Sequence, residues 1–170
     1  MPMKTLHRRW RLAALLALML GLTPVQALEV GQAAPDLVLT GTPLAQHLSD
    51  LRGRHVYVDF WASWCAPCKQ SFAWMQGLQA RYRPQELTVL AINLDKHRAD
   101  ADRFLQKNPV TFALAFDPQG ESARQFDVKT MPSAYLLSPE GKVLMVHRGF
   151  VPQDVGVLQQ RIEQALGGNR

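Results

Sequence analysis

The chain has 170 residues, enough for one sizeable hydrophobic core and too few for two. Hydrophobic residues make up 47% of it and charged residues 19%, with 11 Gly and 11 Pro, which excludes a disordered, collagen-like or multi-pass membrane chain. Most of the formal net charge of +5 comes from residues 1–27, and the near balance of charge in the rest removes the electrostatic case for a nucleic-acid partner.

The first 27 residues have the order of parts found in a secretory signal peptide. Basic residues up to Arg11 precede an apolar run at 12–22, and short residues follow up to Ala27. The apolar run is well short of the roughly 20 residues that a membrane-spanning helix needs, so we expect cleavage after Ala27 rather than a retained anchor. This pattern predicts a signal peptide at 1–27, one folded domain at 28–170, and export to a compartment where disulfides persist.

The start of the folded domain is rich in glycine and proline and predicts an edge β-hairpin. An extended stretch at 37–40 leads into a turn at Gly41-Thr42-Pro43, and a half-turn follows at 49–51. Residues 56–61 come next and are almost all β-branched or aromatic, as expected of a central strand that is covered on both faces. Asp59 is the exception within this strand.

The rest of the chain alternates between helical and strand patterns. After Cys65-Ala66-Pro67-Cys68, apolar residues at helical spacing predict a helix to about residue 83, with Pro67 in its first turn. The remaining elements are predicted as strands at 87–94, 111–116, 133–137 and 142–147 and as helices at 99–108, 121–126 and 152–166. Strands that alternate with helices, followed by a hairpin and a helix, predict an α/β fold with a mixed central sheet.

The two cysteines lie where a predicted buried strand gives way to a helix. A helix N-terminus has unpaired N–H groups and a favourable dipole, and both stabilise a thiolate. We therefore expect Cys65 to be the attacking sulfur. Cys68, one turn further along, is close enough to attack a mixed disulfide at Cys65 and to release the product.

The segment from Val58 to Lys69 closely resembles the active-site segment of thioredoxins. The resemblance extends over essentially all of 28–170, and features typical of the exported TlpA/ResA-like branch are found at 34–37, 51–53, 99–116, 131–133 and Phe150. It implies a thioredoxin fold: a central mixed β-sheet flanked by helices, with an N-terminal β-hairpin and a strand-helix insertion between the CxxC helix and a cis-proline. It also implies periplasmic thiol-disulfide exchange through a redox-active Cys65–Cys68 disulfide, usually in the direction of reduction.

Further site residues and partners come from the same resemblance. Pro132 matches a proline that is cis in such proteins and faces the cysteine pair, where it shapes the substrate groove. Met131 would pair its backbone with an extended partner segment, and Trp64 would shield Cys65 and contact substrate. The exchange needs no organic cofactor and no metal. The implied partners are disulfide-containing proteins and an upstream electron donor, expected to be a membrane thiol carrier.

Asp59 is predicted to be a catalytic residue both by a physical argument and by the resemblance. A carboxylate within an apolar strand loses its hydration, so its pKa should rise toward neutrality, and such a group can accept the proton that Cys68 must lose. Two departures from related proteins accompany it. Ala91 occupies the place of a thioredoxin-like partner lysine, which should make Asp59 harder to ionise, and Ser71 stands where many TlpA/ResA-like proteins have Glu.

Three alternatives to a reductase stay open at this level. The first is an inert structural disulfide, although a bridge across two intervening residues removes little chain entropy and so stabilises little. The second is a copper-handling protein, because two thiolates suit Cu(I) and His147 could add a third ligand. The third is a thiol oxidase, which would use the same cysteines at a higher redox potential. The sequence favours a thiol-disulfide oxidoreductase that reduces protein disulfides, with catalytic residues Cys65, Cys68 and Asp59 and substrate-binding residues Trp64, Met131 and Pro132.

Overall fold

A five-stranded mixed sheet forms the centre of the computed structural model, which describes residues 28–82 and 86–167. The predicted signal peptide at 1–27 therefore lies outside the described residues. The strands are β1 (His55–Trp61), β2 (Leu87–Asn93), β3 (Ala113–Phe116), β4 (Ser133–Leu137) and β5 (Val143–Arg148). The helices are α1 (Ala66–Arg81), α2 (Arg98–Lys107), α3 (Glu121–Gln125) and α4 (Val155–Ala165). Within the described ranges, no helix has both the length and the apolar character that crossing a membrane requires.

Strand β1 lies in the middle of the sheet, whose order is β3-β2-β1-β4-β5. It pairs in parallel with β2 and antiparallel with β4, while β3 extends the parallel side and β5 the antiparallel side. All residues of β1 from Val56 to Trp61 are buried, which explains why its sequence is apolar almost without interruption. The predicted α/β class with a mixed sheet is confirmed.

The two faces of β1 pack into two different clusters, because successive side chains of a strand point to opposite sides. We call the first the helix-side cluster; it includes Tyr57, Trp61, Cys65, Cys68, Phe72, Met75, Leu78, Leu158 and Ile162. We call the second the N-terminal cluster; it includes Leu37, Leu39, Leu48, Leu51, Val58, Phe60, Phe126 and Tyr135. Helices α1 and α4 therefore cover one face of the sheet, and the segment before β1 covers the other.

The N-terminal segment is less regular than the predicted β-hairpin. Its two arms meet at a single antiparallel bridge between Val38 and His47, and a 3₁₀ turn at Leu48–Leu51 follows. Other strands use the backbone groups that a longer hairpin would need. The carbonyl of Thr40 accepts a hydrogen bond from the Phe116 N–H of β3, and Ala33 bridges to Lys142 just before β5. The segment is thus tied to both edges of the sheet instead of forming an independent hairpin.

Two element boundaries also differ from the prediction for identifiable reasons. The predicted strand at 111–116 begins only at Ala113, because Thr111 is bound to a helix side chain. Its N–H donates to Gln76 Oε1 at 2.9 Å, and its hydroxyl accepts from Gln76 Nε2 at 2.7 Å. The predicted helix at 152–166 starts as a 3₁₀ turn at Pro152–Asp154 and becomes α-helical at Val155.

Candidate active site

Cys65 and Cys68 form a disulfide at the first turn of α1, with their Cα atoms 5.3 Å apart. Cys65 is the N-cap residue of the helix, and a proline occupies one of the first two helical positions, where a missing N–H has no consequence. Cys65 is 5% exposed and Cys68 is fully buried. An incoming partner can therefore reach Cys65 first, in keeping with the roles that the sequence predicts for the two sulfurs.

The surroundings of Cys65 favour a negative charge on its sulfur in the reduced protein. The backbone N–H of Cys68 donates to the Cys65 sulfur at 3.3 Å. The first turn of α1 contains no acidic residue, so the partial positive charge of the helix N-terminus is not offset there. Hydrogen bonding to the charged form and the helix dipole both stabilise a thiolate.

The side chain of Asp59 lies on the face of β1 against which the helix-side cluster, including both cysteines, packs. It stands between Tyr57 and Trp61, which both belong to the helix-side cluster, and alternation along the strand places its side chain on their side of the sheet. It is 1% exposed, and its Oδ2 has no hydrogen-bond partner among the described residues. Burial raises the pKa of Asp59 well above its ordinary value.

The neighbours of Asp59 across the sheet are both alanines. Ala91 of β2 is its register partner on one side, and Ala134 of β4 is its partner on the other. The position at which the resemblance to thioredoxins expects a partner lysine is therefore next to Asp59 in the sheet. Ala91 occupies it and offers only a methyl group. This arrangement explains why burial alone accounts for the raised pKa of Asp59.

Ser71 lies one turn beyond Cys68 and is buried. Its hydroxyl donates a hydrogen bond to the carbonyl of Cys68 at 2.9 Å. A serine hydroxyl does not take up or release a proton near neutral pH, so Ser71 cannot replace the acid that many TlpA/ResA-like proteins have there. Of the two positions at which related proteins have a buried acid, this chain therefore keeps an acid only at Asp59.

The structure gives the surroundings of the three predicted substrate-binding residues, Trp64, Met131 and Pro132. Trp64 precedes Cys65 and is 71% exposed, unusually open for such a large apolar side chain. Met131 packs against the helix-side cluster, which contains both cysteines. The Met131–Pro132 peptide bond is cis, and the carbonyl of Pro132 accepts a hydrogen bond from Gly149 N–H at 2.8 Å.

Asp95 is bonded to the turn that leads into Cys65, although the sequence reasoning did not select it. It is 5% exposed and follows the carboxyl end of β2. Its carboxylate accepts from the Ser63 N–H at 2.9 Å, from the Ser63 hydroxyl at 3.0 Å and from Asn93 Nδ2 at 2.8 Å. The sequence did contain a signal for Asp95. Polar residues occur at the end of a buried strand, and this strand neighbours the one that leads into the cysteines.

His147 is the residue that the copper alternative would use as a third ligand. It lies on β5, its register partner is Ala134, and its Nε2 atom is buried with no partner in the part of the chain that the structure describes. Burial lowers the pKa of His147, an effect that Asp154 opposes. Across residues 28–82 and 86–167, no three His, Cys, Asp or Glu side chains are grouped so that they could hold a metal ion.

Comparisons with known proteins agree with this geometry. Residues 30–146 match the model of the AhpC/TSA family. The chain is 31% identical to the thiol-disulfide oxidoreductase ResA of Geobacillus kaustophilus over 133 residues, which cover 78% of this chain and 76% of that relative. It is 30% identical to ResA of Bacillus subtilis, with coverage of 76% and 73%. A crystal structure from Chlorobium tepidum, described as a candidate thiol:disulfide interchange protein DsbE, has a TM-score of 0.79 and 48% identity, with coverage of 83% and 100%.

Proposed function

The chain belongs to the AhpC/TSA family and is a thiol-disulfide oxidoreductase with a thioredoxin fold, and we propose that it is an exported reductant of protein disulfides. Its substrates contain disulfide bonds. The observation that carries the proposal is the Cys65–Cys68 bridge at the first turn of α1, with one sulfur slightly exposed and the other enclosed. In its reduced form such a pair supplies both electrons of a disulfide reduction.

Attack by Cys65 is the first step. The reduced Cys65 thiolate bonds to one sulfur of the substrate disulfide, the substrate S–S bond breaks, and the second substrate sulfur leaves as a thiolate. The N–H of Cys68 and the start of α1 stabilise the attacking anion. Exposed Trp64, next to Cys65 in the chain, and Met131, which packs against the helix-side cluster, would hold the substrate backbone together with Pro132.

Release by Cys68 is the second step. The Cys68 thiol loses its proton and attacks the Cys65 sulfur, which re-forms the Cys65–Cys68 bridge and frees the other substrate sulfur. Asp59 would accept that proton, either directly or through water. A carboxylate with a raised pKa is suited to this role because its proton affinity is closer to that of a thiol.

The proposal also includes a location and an electron donor. Residues 1–27 would be removed as a signal peptide after Ala27, leaving 28–170 in the periplasm. Each turnover leaves the pair oxidised in an oxidising compartment. A dithiol donor must therefore reduce it again, and a membrane thiol carrier is the expected partner.

Trapping tests the division of labour between the cysteines. A Cys68→Ser variant should accumulate mixed disulfides through Cys65, because the release step has lost its sulfur. The matched Cys65→Ser variant should accumulate none, and non-reducing gels followed by mass spectrometry would measure both. Equal trapping by the two variants would contradict the assignment.

The redox potential tests the direction of electron flow. Equilibration of the purified protein against a glutathione or dithiothreitol series gives the potential directly. A value near about −270 mV, that of thioredoxin, would support a reductant, whereas a value near about −120 mV would support a thiol oxidase.

A further inference from the structure

We propose that Asp95 is a positioning residue for the attack by Cys65, holding the turn before the cysteine through Ser63. This inference rests on the proposed function and names a group that acts through the backbone rather than on the substrate. We call the three bonded side chains the Asp95 clasp; they are Ser63, Asn93 and Asp95. Two of the three hydrogen bonds to the carboxylate come from Ser63, two residues before Cys65.

The turn between β1 and α1 is fixed at successive points. The carbonyl of Trp61 accepts from Leu94 N–H at 2.9 Å, which ties the end of β1 to the chain after β2. The N–H of Cys65 donates to the carbonyl of Ala62 at 3.0 Å and closes the turn. The N–H of Ser63, inside this turn, donates to the Asp95 carboxylate at 2.9 Å.

The hydrogen-bond partners of Asp95 indicate that it fixes the position of this turn and does not merely fill space in the core. A carboxylate that is 5% exposed has lost most of its hydration, so its hydrogen bonds must compensate. Its third bond comes from Asn93, and Asn93 Oδ1 in turn accepts from the Asp95 N–H at 3.0 Å, so the carboxylate itself is held in place. The rigid end of β2 thereby sets the position of a loop on which Cys65 depends.

Substitutions at Asp95 can separate its hydrogen bonds from its charge. In Asp95→Asn, the amide oxygen can keep the bonds from the Ser63 N–H and Asn93, and the amide nitrogen can donate to the Ser63 hydroxyl. This variant therefore keeps the clasp and removes only the charge. Asp95→Ala removes both, and Ser63→Ala removes one bond of the three.

The experiment isolates the Cys65 attack in a Cys68→Ser background of the full chain. Oxidised glutathione serves as the probe, and the rate constant of mixed-disulfide formation is followed by mass spectrometry from about pH 5 to pH 10. Variants are compared at the plateau, where Cys65 is fully ionised, so a change in its pKa does not enter. Asp102→Asn, on an exposed carboxylate of α2, is the matched control for loss of a charge.

The expected plateau rate constants differ in a set order. Asp95→Ala should fall at least about tenfold, Ser63→Ala by a smaller factor, and Asp95→Asn should stay within about threefold of the Cys68→Ser parent, as should the Asp102→Asn control. A plateau unchanged in Asp95→Ala, or lowered equally in Asp95→Asn, would overturn the inference. If Asp95→Ala does not fold, the comparison of Ser63→Ala with Asp95→Asn decides: a lower plateau for Ser63→Ala supports the inference, and equal plateaus overturn it. Failure of the proposed function would look different, because the Cys68→Ser parent itself would then form no mixed disulfide.

Discussion

Replacement of Asp59 by asparagine should remove a pH-dependent loss of stability. Asp59 is enclosed between alanines of β2 and β4, and its Oδ2 has no partner within 28–82 and 86–167. Burial raises the pKa of Asp59 well above its ordinary value. The folded chain therefore keeps this carboxyl protonated to a higher pH than the unfolded chain does.

The size of the effect follows from this difference in protonation. The stability associated with the raised pKa of Asp59 is fully present below the unfolded pKa of about 3.9 and is lost as the pH rises toward the folded pKa. Within that window the loss is about 1.4 kcal/mol for each pH unit. From pH 5 to pH 7 the free energy of unfolding of the wild type should therefore fall by up to about 3 kcal/mol relative to Asp59→Asn, which has no carboxyl to ionise.

Urea unfolding of the two oxidised proteins at pH 5, 6 and 7 measures this difference. All other titratable groups are common to both proteins, so the change of the difference with pH isolates Asp59. Absolute stabilities are not compared, because the asparagine amide brings an additional buried donor of its own. Parallel plots of unfolding free energy against pH would refute the reasoning, since Asp59 would then ionise equally in the folded and unfolded chains.

Three further predictions concern the proton, the core and the substrate surface. In the pH range where the wild-type Asp59 is ionised, Asp59→Asn should slow release by Cys68 about 100-fold, seen as a mixed disulfide that persists in rapid-quench experiments. Unchanged release kinetics would exclude Asp59 as proton acceptor. Phe72→Ala should lower the free energy of unfolding by about 3–5 kcal/mol, because Phe72 packs against three aromatic rings, whereas Val38→Ala on the surface should change it by less than about 0.5 kcal/mol. Trp64→Ala should raise KM for a protein disulfide several-fold and leave the reaction with glutathione unchanged; an equal effect on both would place Trp64 outside the substrate surface.

The elements that the sequence predicts well are those whose local pattern agrees with their burial. Strand β1 is apolar on both sides because both sides are covered, and its predicted and observed ranges differ by a single residue. The start of α1 is equally clear, since Pro67 and the cysteine pair mark the first turn. Local sequence is sufficient in such cases because packing and propensity favour the same structure.

Contacts between distant parts of the chain account for what the sequence could not predict. Gln76 of α1 binds Thr111 and shortens β3, and β3 in turn takes up the carbonyl of Thr40 that a regular hairpin would have used. The bonds between Asp95 and Ser63 depend on the parallel register of β1 and β2, which aligns Trp61 with Asn93. None of these pairings leaves a periodic signal in the sequence.

Residues 37–51 also determine how the enzyme responds to proteolytic cleavage in its N-terminal segment. Their leucines are the outer wall of the N-terminal cluster, against which Val58 and Phe60 of β1 lie. Proteolytic cleavage that detached this segment would leave the cysteines and α1 in place. It would expose an apolar surface on the face of the sheet opposite to α1. Patches of that kind promote self-association. We therefore expect cleaved molecules to aggregate before they lose thiol-disulfide exchange activity.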